Sequence, residues 1–174
     1  PAYRRERIAT PDGDFIDLDW LQDDDAQADA AAPLIVLFHG LEGSSASHYA
    51  RSLMRAVGKA GWRGVVAHFR GCSGEPNRLV RHYHSGDAEE IDWILRLLHA
   101  RANGAPLHAA GVSLGGNALL KWLGEREAAA IGILDSAVAV CAPLDLTISG
   151  HALARGFNRI YTRHFLATLI AKAN

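Results

Sequence analysis

The spacing of apolar and polar positions changes period several times along this 174-residue chain, and each change marks a predicted element. Residues 3–9 and 15–20 flank Thr10-Pro11-Asp12-Gly13-Asp14. Pro-Asp-Gly is strong turn chemistry, so the chain opens on a predicted β-hairpin. In the second arm Ile16, Leu18 and Trp20 alternate with Asp17 and Asp19, which predicts one buried face and one wet face. Residues 22–32 are acidic and alanine-rich with no apolar stripe, the pattern of a surface loop. Leu34-Ile35-Val36-Leu37-Phe38 is apolar throughout, as in a strand covered on both sides. Residues 47–60 have helical spacing, with Tyr49, Leu53 and Val57 on one side and Gly61 as the stop. A strand over 62–69 leads into the glycine-rich turn Arg70-Gly71-Cys72-Ser73-Gly74, and residues 77–86 form an irregular polar loop. Asp87 and Glu90 make an N-cap and capping pair for a helix to about residue 101, with Ile91, Ile94, Leu95 and Leu98 as its stripe. A strand ending near Ala110, a helix to about Gly124 and a buried strand over 137–142 complete the pattern, and Pro143 closes the last strand.

A hairpin followed by alternating strands and helices predicts an α/β fold: a mainly parallel sheet with helices on both faces. Sites in such sheets lie at the carboxyl ends of the strands, where both His39 and Ser113 fall. The expected division is a core over 1–149 and the start of cap or lid helices over 150–174.

Composition narrows the function classes. Apolar residues make up 49% and charged residues 21%, ordinary for a globular domain. A net charge of −1 argues against a general nucleic-acid binder. No apolar run reaches the ~18 residues that span a bilayer. Cys72 and Cys141 form no framework, which fits a reducing compartment and a cytoplasmic location. The first residue is Pro1 rather than Met, so a targeting segment ahead of it is compatible with the sequence.

The chemistry is concentrated in Gly111-Val112-Ser113-Leu114-Gly115, a G-x-S-x-G with an apolar run before it and a helix former after it. A sharp strand-to-helix turn leaves no room beside the serine, hence the glycines, and it exposes the hydroxyl above the sheet. The bland alternative is a glycine-rich turn and nothing more. Against it stands the strand ending in His39-Gly40, followed by Leu41-Glu42-Gly43 and a helix start at Ser44-Ser45. In serine hydrolases a loop in that position supplies the second donor of an oxyanion hole.

These residues resemble the α/β-hydrolase superfamily. Three stretches resemble its YheT-like branch of esterases and lipases: Phe38-His39-Gly40-Leu41-Glu42-Gly43-Ser44-Ser45, Phe69-Arg70-Gly71-Cys72-Ser73-Gly74-Glu75-Pro76-Asn77 and Tyr83-His84-Ser85-Gly86. The resemblance implies cleavage of small-molecule acyl esters through Ser113 as nucleophile, with the backbone N–H groups of Leu41 and Leu114 as oxyanion donors. It implies no cofactor. Acyl transfer to an alcohol on the same serine and a non-catalytic binding module of the same fold are the alternatives. Oligomeric state is left open.

The triad order in this fold is serine, acid, histidine, and the last two lie far beyond the serine. Only 60 residues follow Leu114 here, which reads as the N-terminal portion of a longer hydrolase, nearly inert alone. Asp145 is read as a helix N-cap or turn residue rather than the acid, and His151 and His164 as cap residues rather than the base. His39 is read as bonding its own loop, and His39 and His84 are the candidates to border the substrate pocket. His82, His84 and Asp87 form an H-x-H-x-x-D that lacks further ligands, so no metal site is assigned. Arg70 either pins its own turn or lies on the surface, and Cys72 is incidental. Residues 150–172 are amphipathic, with Leu153, Phe157, Ile160 and Tyr161 on one stripe and Arg155, Arg159 and Arg163 on another. A surface helix packed on the domain is favoured over peripheral contact with an anionic lipid surface.

Overall fold

The computed structural model describes residues 1–22 and 29–173. β1 (Ala2–Ala9) and β2 (Phe15–Gln22) pair antiparallel, with Tyr3 opposite Leu21 and Ile8 opposite Ile16. β2 is antiparallel to β4 (Arg63–Ala67). The remaining neighbours, β3 (Leu34–Phe38), β5 (Leu107–Val112) and β6 (Ser136–Val140), are parallel, and the strand order is β1-β2-β4-β3-β5-β6.

Strand alternation sorts the core into two layers. Leu34, Val36, Phe38, Val65 and Ala67 pack with Ile91, Leu95 and Leu98 of α2 (Ala88–Ala102) and with Leu119 and Trp122 of α3 (Leu114–Arg126). Leu37, Val66 and Ala110 point the other way, onto Ala50 and Met54 of α1 (His48–Lys59). The connection from β3 through α1 runs to β4, and the connection from β4 through α2 runs back past β3 to β5. The crossovers therefore reverse at β3, and the carboxyl ends of β3 and β5 flank the resulting crevice.

Four sequence expectations need correction. Asp17 and Asp19 do not face water: they are 1% and 3% exposed, beneath Arg7 and Arg5 of β1. Alternation in β2 separates two buried faces, one apolar and one ionic, because the sheet is covered on both sides there. Glu90 does not reach back to complete a capping box. Asp87 accepts from the Glu90 N–H, but the Glu90 carboxylate turns inward to the Arg70 Nε at 2.6 Å. Arg70 is neither a surface residue nor a clasp on its own turn. It is 3% exposed and also bonds Asp14 and Asp12, tying the hairpin turn to the start of α2. β6 is not buried: Val138 and Val140 are 52% and 45% exposed, because β5 is the one strand that pairs it among the described residues.

Most of the surface loop expected over 22–32 lies outside the described residues. After β6 come α4 (Leu146–Leu153) and α5 (Arg159–Ala173), and neither buries a described side chain; Phe157 between them is 89% exposed. The expected packing of this segment onto the domain is therefore not seen. No described helix is long and apolar enough to cross a membrane.

Candidate active site

Ser113 sits between β5 and α3 at φ 52° and ψ −116°, a backbone conformation that L-residues avoid. Packing enforces it. A Cβ at Gly111 would lie 2.6 Å from the Gly115 carbonyl oxygen, and one at Gly115 would lie 2.5 Å from that of His39. Strand and helix thus approach more closely than any side chain allows, and the chain reverses through Ser113. The Ser113 N–H donates to Val140 O at 2.8 Å, which anchors the bend to β6. The half-buried Ser113 caps no helical N–H with its hydroxyl. Leu114 is the first residue of α3, so its N–H has no partner within the helix.

Facing this bend is the turn after β3. A Cβ on Gly40 would lie 3.4 Å from the Ser113 Cβ, so the two turns touch. The Gly40 carbonyl accepts from the Gly43 N–H at 2.9 Å and lies 2.8 Å from the His39 Nδ1. The Phe69 N–H donates to the His39 Nε2 at 3.1 Å, which makes Nδ1 the protonated nitrogen. No peptide here is cis, and a trans peptide sets its C=O and N–H on opposite sides. With the Gly40 carbonyl fixed toward His39 and Gly43, the Leu41 N–H turns the other way. The Gly40 N–H donates to the Tyr49 hydroxyl at 2.9 Å. Glu42 occupies φ 54°, and its N–H donates to the Tyr83 hydroxyl.

A buried polar network supports the turn from beneath. Asp19 accepts from Arg5 Nε at 2.7 Å and Ser45 Oγ at 2.6 Å, and His68 Nε2 lies 2.8 Å away. Burial alone would raise the Asp19 pKa, but these hydrogen bonds outweigh it and hold the carboxyl far below the usual range. Glu90 shows the opposite balance: burial outweighs Arg70 and raises its pKa.

The structure brings Ser113, Leu114, Leu41 and His39 to one edge of the sheet. His39 is fully buried with both ring nitrogens engaged by main chain, so it presents neither to a pocket. His84 is elsewhere. It lines a polar depression of about 370 Å³ with Arg81, Lys121 and Glu125, and its Nδ1 accepts from the Gly86 N–H. Asp145 is the N-cap of α4, accepting from the Ile148 N–H at 2.8 Å. His151 is exposed on α4, and the His164 side chain lies outside the described residues. Among the described residues, no group of three or more His, Cys, Asp or Glu could hold a metal. Sequence reasoning missed Tyr49 and Tyr83. Tyr49 carries an apolar-stripe signature, and Tyr83 lies in an irregular loop, so neither signals a bond to a turn 9 or 41 residues away.

Comparison with known proteins shows the family and the fold. A sequence model of the alpha/beta hydrolase fold matches residues 33–159. The chain is 48% identical over 168 residues to "Putative esterase YheT" of Escherichia coli (strain K12), covering 97% of this chain and 48% of that protein. It is 37% identical over 126 residues to Phospholipase ABHD3 of Homo sapiens, covering 71% of this chain and 31% of that protein. The chain thus spans about half, or less, of the length of these curated relatives. Among solved structures, the Pyrococcus furiosus esterase Pf2001 superposes with a TM-score of 0.66 at 20% identity, covering 89% of this chain and 57% of that one.

Proposed function

Given that this chain belongs to the alpha/beta hydrolase fold family, we propose that it carries the nucleophile and oxyanion hole of a serine ester hydrolase. Ser113 Oγ attacks the ester carbonyl carbon and gives its proton to a base. The tetrahedral oxyanion accepts from the N–H groups of Leu41 and Leu114. The C–O bond breaks, the alcohol leaves with that proton, and an acyl-Ser113 ester remains. Water then repeats the sequence and releases the carboxylic acid. One observation carries this reading: a sterically enforced serine bend touches the Gly40 turn, whose next N–H lies opposite the carbonyl that His39 and Gly43 hold. The α3 N-terminus adds favourable potential for the negative charge.

The base and its acid are assigned to sequence outside these 174 residues. His39 is fully engaged, and Asp145 is occupied as a cap. On this reading residues 150–174 begin a cap over the carboxyl edge, and their exposed apolar side chains border the acyl group. The names of the curated relatives favour a carboxylic ester as the substrate class.

A fluorophosphonate probe applied to the full-length protein is expected to label Ser113, and Ser113→Ala to abolish both labelling and turnover. Removing a hydrolase's serine costs on the order of 10⁶ in kcat. Equal labelling of both proteins would end this reading.

A further inference from the structure

The Leu41 turn contains a strained residue that is not glycine. Leu41 and Glu42 are the central residues of the reverse turn closed by Gly43 N–H to Gly40 O, and Glu42 takes the left-handed position that glycine ordinarily fills. Such a residue persists where its surroundings over-determine it. A single oxygen does much of this: the Tyr83 hydroxyl accepts from the Glu42 N–H at 2.9 Å and donates to the Glu42 Oε1 at 2.7 Å. Main chain and side chain of one residue are thereby held from one point.

Tyr83 is itself fixed. It is 9% exposed and stacks on Phe69 at 5.1 Å and 7°, and the Phe69 N–H in turn sets the tautomer of His39. The turn is therefore gripped on both of its peptides. His39 holds the Gly40–Leu41 peptide through its carbonyl, and Tyr83 holds the Leu41–Glu42 peptide through its N–H. Burial, joined by the nearby Cys72, raises the Tyr83 pKa above its ordinary value, so the phenol keeps the proton it donates to Glu42.

We propose that Tyr83 and Glu42 form a positioning pair that holds the Leu41 N–H in line with the oxyanion above Ser113. The proposal rests on the oxyanion-hole reading given above and extends it to residues that never touch substrate. Because Tyr83 acts on the peptide after the donor, its loss is expected to displace that donor rather than remove it.

The test is steady-state hydrolysis of a p-nitrophenyl ester by the full-length protein and its variants. Tyr83→Phe keeps the ring stack and removes both hydrogen bonds. It is expected to lower kcat about tenfold with KM within about twofold, less than the 10²–10³ seen when an oxyanion donor is deleted. Its fluorophosphonate labelling rate is expected to fall by the same factor, with the thermal midpoint close to that of the parent. Glu42→Gln keeps an acceptor and is expected to retain kcat within about threefold. The double variant is expected to be no worse than Tyr83→Phe alone, as residues acting as a unit behave. Parental kcat in Tyr83→Phe, or fully multiplicative losses in the double variant, would overturn the pairing. If Tyr83→Phe does not fold, Glu42→Ala carries the test, and parental kcat there is equally decisive against the pair. Labelling that survives Ser113→Ala would instead overturn the nucleophile assignment.

Discussion

Two turns meet at the carboxyl edge of this sheet, and each holds a non-glycine residue at positive φ by a different means. Ser113 at 52° is forced there by close packing, with Gly111 and Gly115 vacating the space that the reversal needs. Glu42 at 54° is held by hydrogen bonds to and from the Tyr83 hydroxyl and by a neighbouring peptide pinned to His39. The first device is steric, local and stiff. The second is polar, long-range and adjustable. On the function proposed above, the nucleophile must stand at one point, so exclusion suits it, and the N–H that receives growing negative charge needs an aim, which hydrogen bonds set. Each strained residue costs roughly 1–3 kcal/mol, so the protein invests stability at both turns.

The largest effect should come from disturbing the steric device. Gly115→Ala drives a Cβ to 2.5 Å from the His39 carbonyl oxygen, and backbone on both sides leaves nothing flexible to yield. The expected loss is about 3 kcal/mol or more of unfolding free energy, read from urea denaturation. An equally stable Gly115→Ala would show that the bend is not held by exclusion.

The same contrast explains what the sequence could disclose. Gly111 and Gly115 lie within two residues of Ser113, so their steric logic is written as a short pattern. The strands and helices were legible for a similar reason: residues 34–38 and the stripe of Ile91, Ile94, Leu95 and Leu98 carry their periods locally. The polar grip on the other turn was not legible, because Tyr83 lies 41 residues from Glu42 in an irregular loop. Asp17 and Asp19 misled for the same cause. Alternation with apolar neighbours reads as a wet face until Arg5 and Arg7 of the paired strand, and Ser45 and His68 from more distant segments, cover them. Arg70 too gained its partners from the hairpin turn and α2, and neither is near it in sequence.

That buried network supplies the next effect. Asp19→Asn removes a charge held by Arg5, His68 and Ser45 and is expected to cost about 2–3 kcal/mol at pH 7, since it leaves the buried His68 and Ser45 and the partly exposed Arg5 without their carboxylate. The pH dependence has a definite sign. The folded-state pKa of Asp19 is depressed, so its contribution is complete above the ordinary carboxylate pKa of about 3.9 and is lost as pH falls below it. Asp12, lowered to about 2 by Thr10 and Arg70, adds to the same acid limb. The contribution of these two carboxylates should stay level from about pH 7 to 5 and fall away below about 4, so unfolding free energy should drop there, with a shallower drop in Asp19→Asn. An unchanged acid slope in that variant would dissociate Asp19 from acid stability.

The smallest effects separate the two turns most sharply, because glycine relieves backbone strain at both. Ser113→Gly removes a strained side chain that caps no helix N–H, so stability should rise by about 1–2 kcal/mol as the proposed activity disappears. Glu42→Gly relieves similar strain and gains the same main-chain entropy in the unfolded state as Ser113→Gly, but it also forfeits the Tyr83 hydrogen bond to its carboxylate, worth about 1 kcal/mol. Its stability should therefore stay within about 1 kcal/mol of the parent. Thermal and urea unfolding of the two variants side by side test this directly. If both gain equally, the carboxylate contributes nothing to holding its turn, and the strain there is as unsupported as at the serine. If only Ser113→Gly gains, one site stores uncompensated strain and the other offsets its strain with a bond.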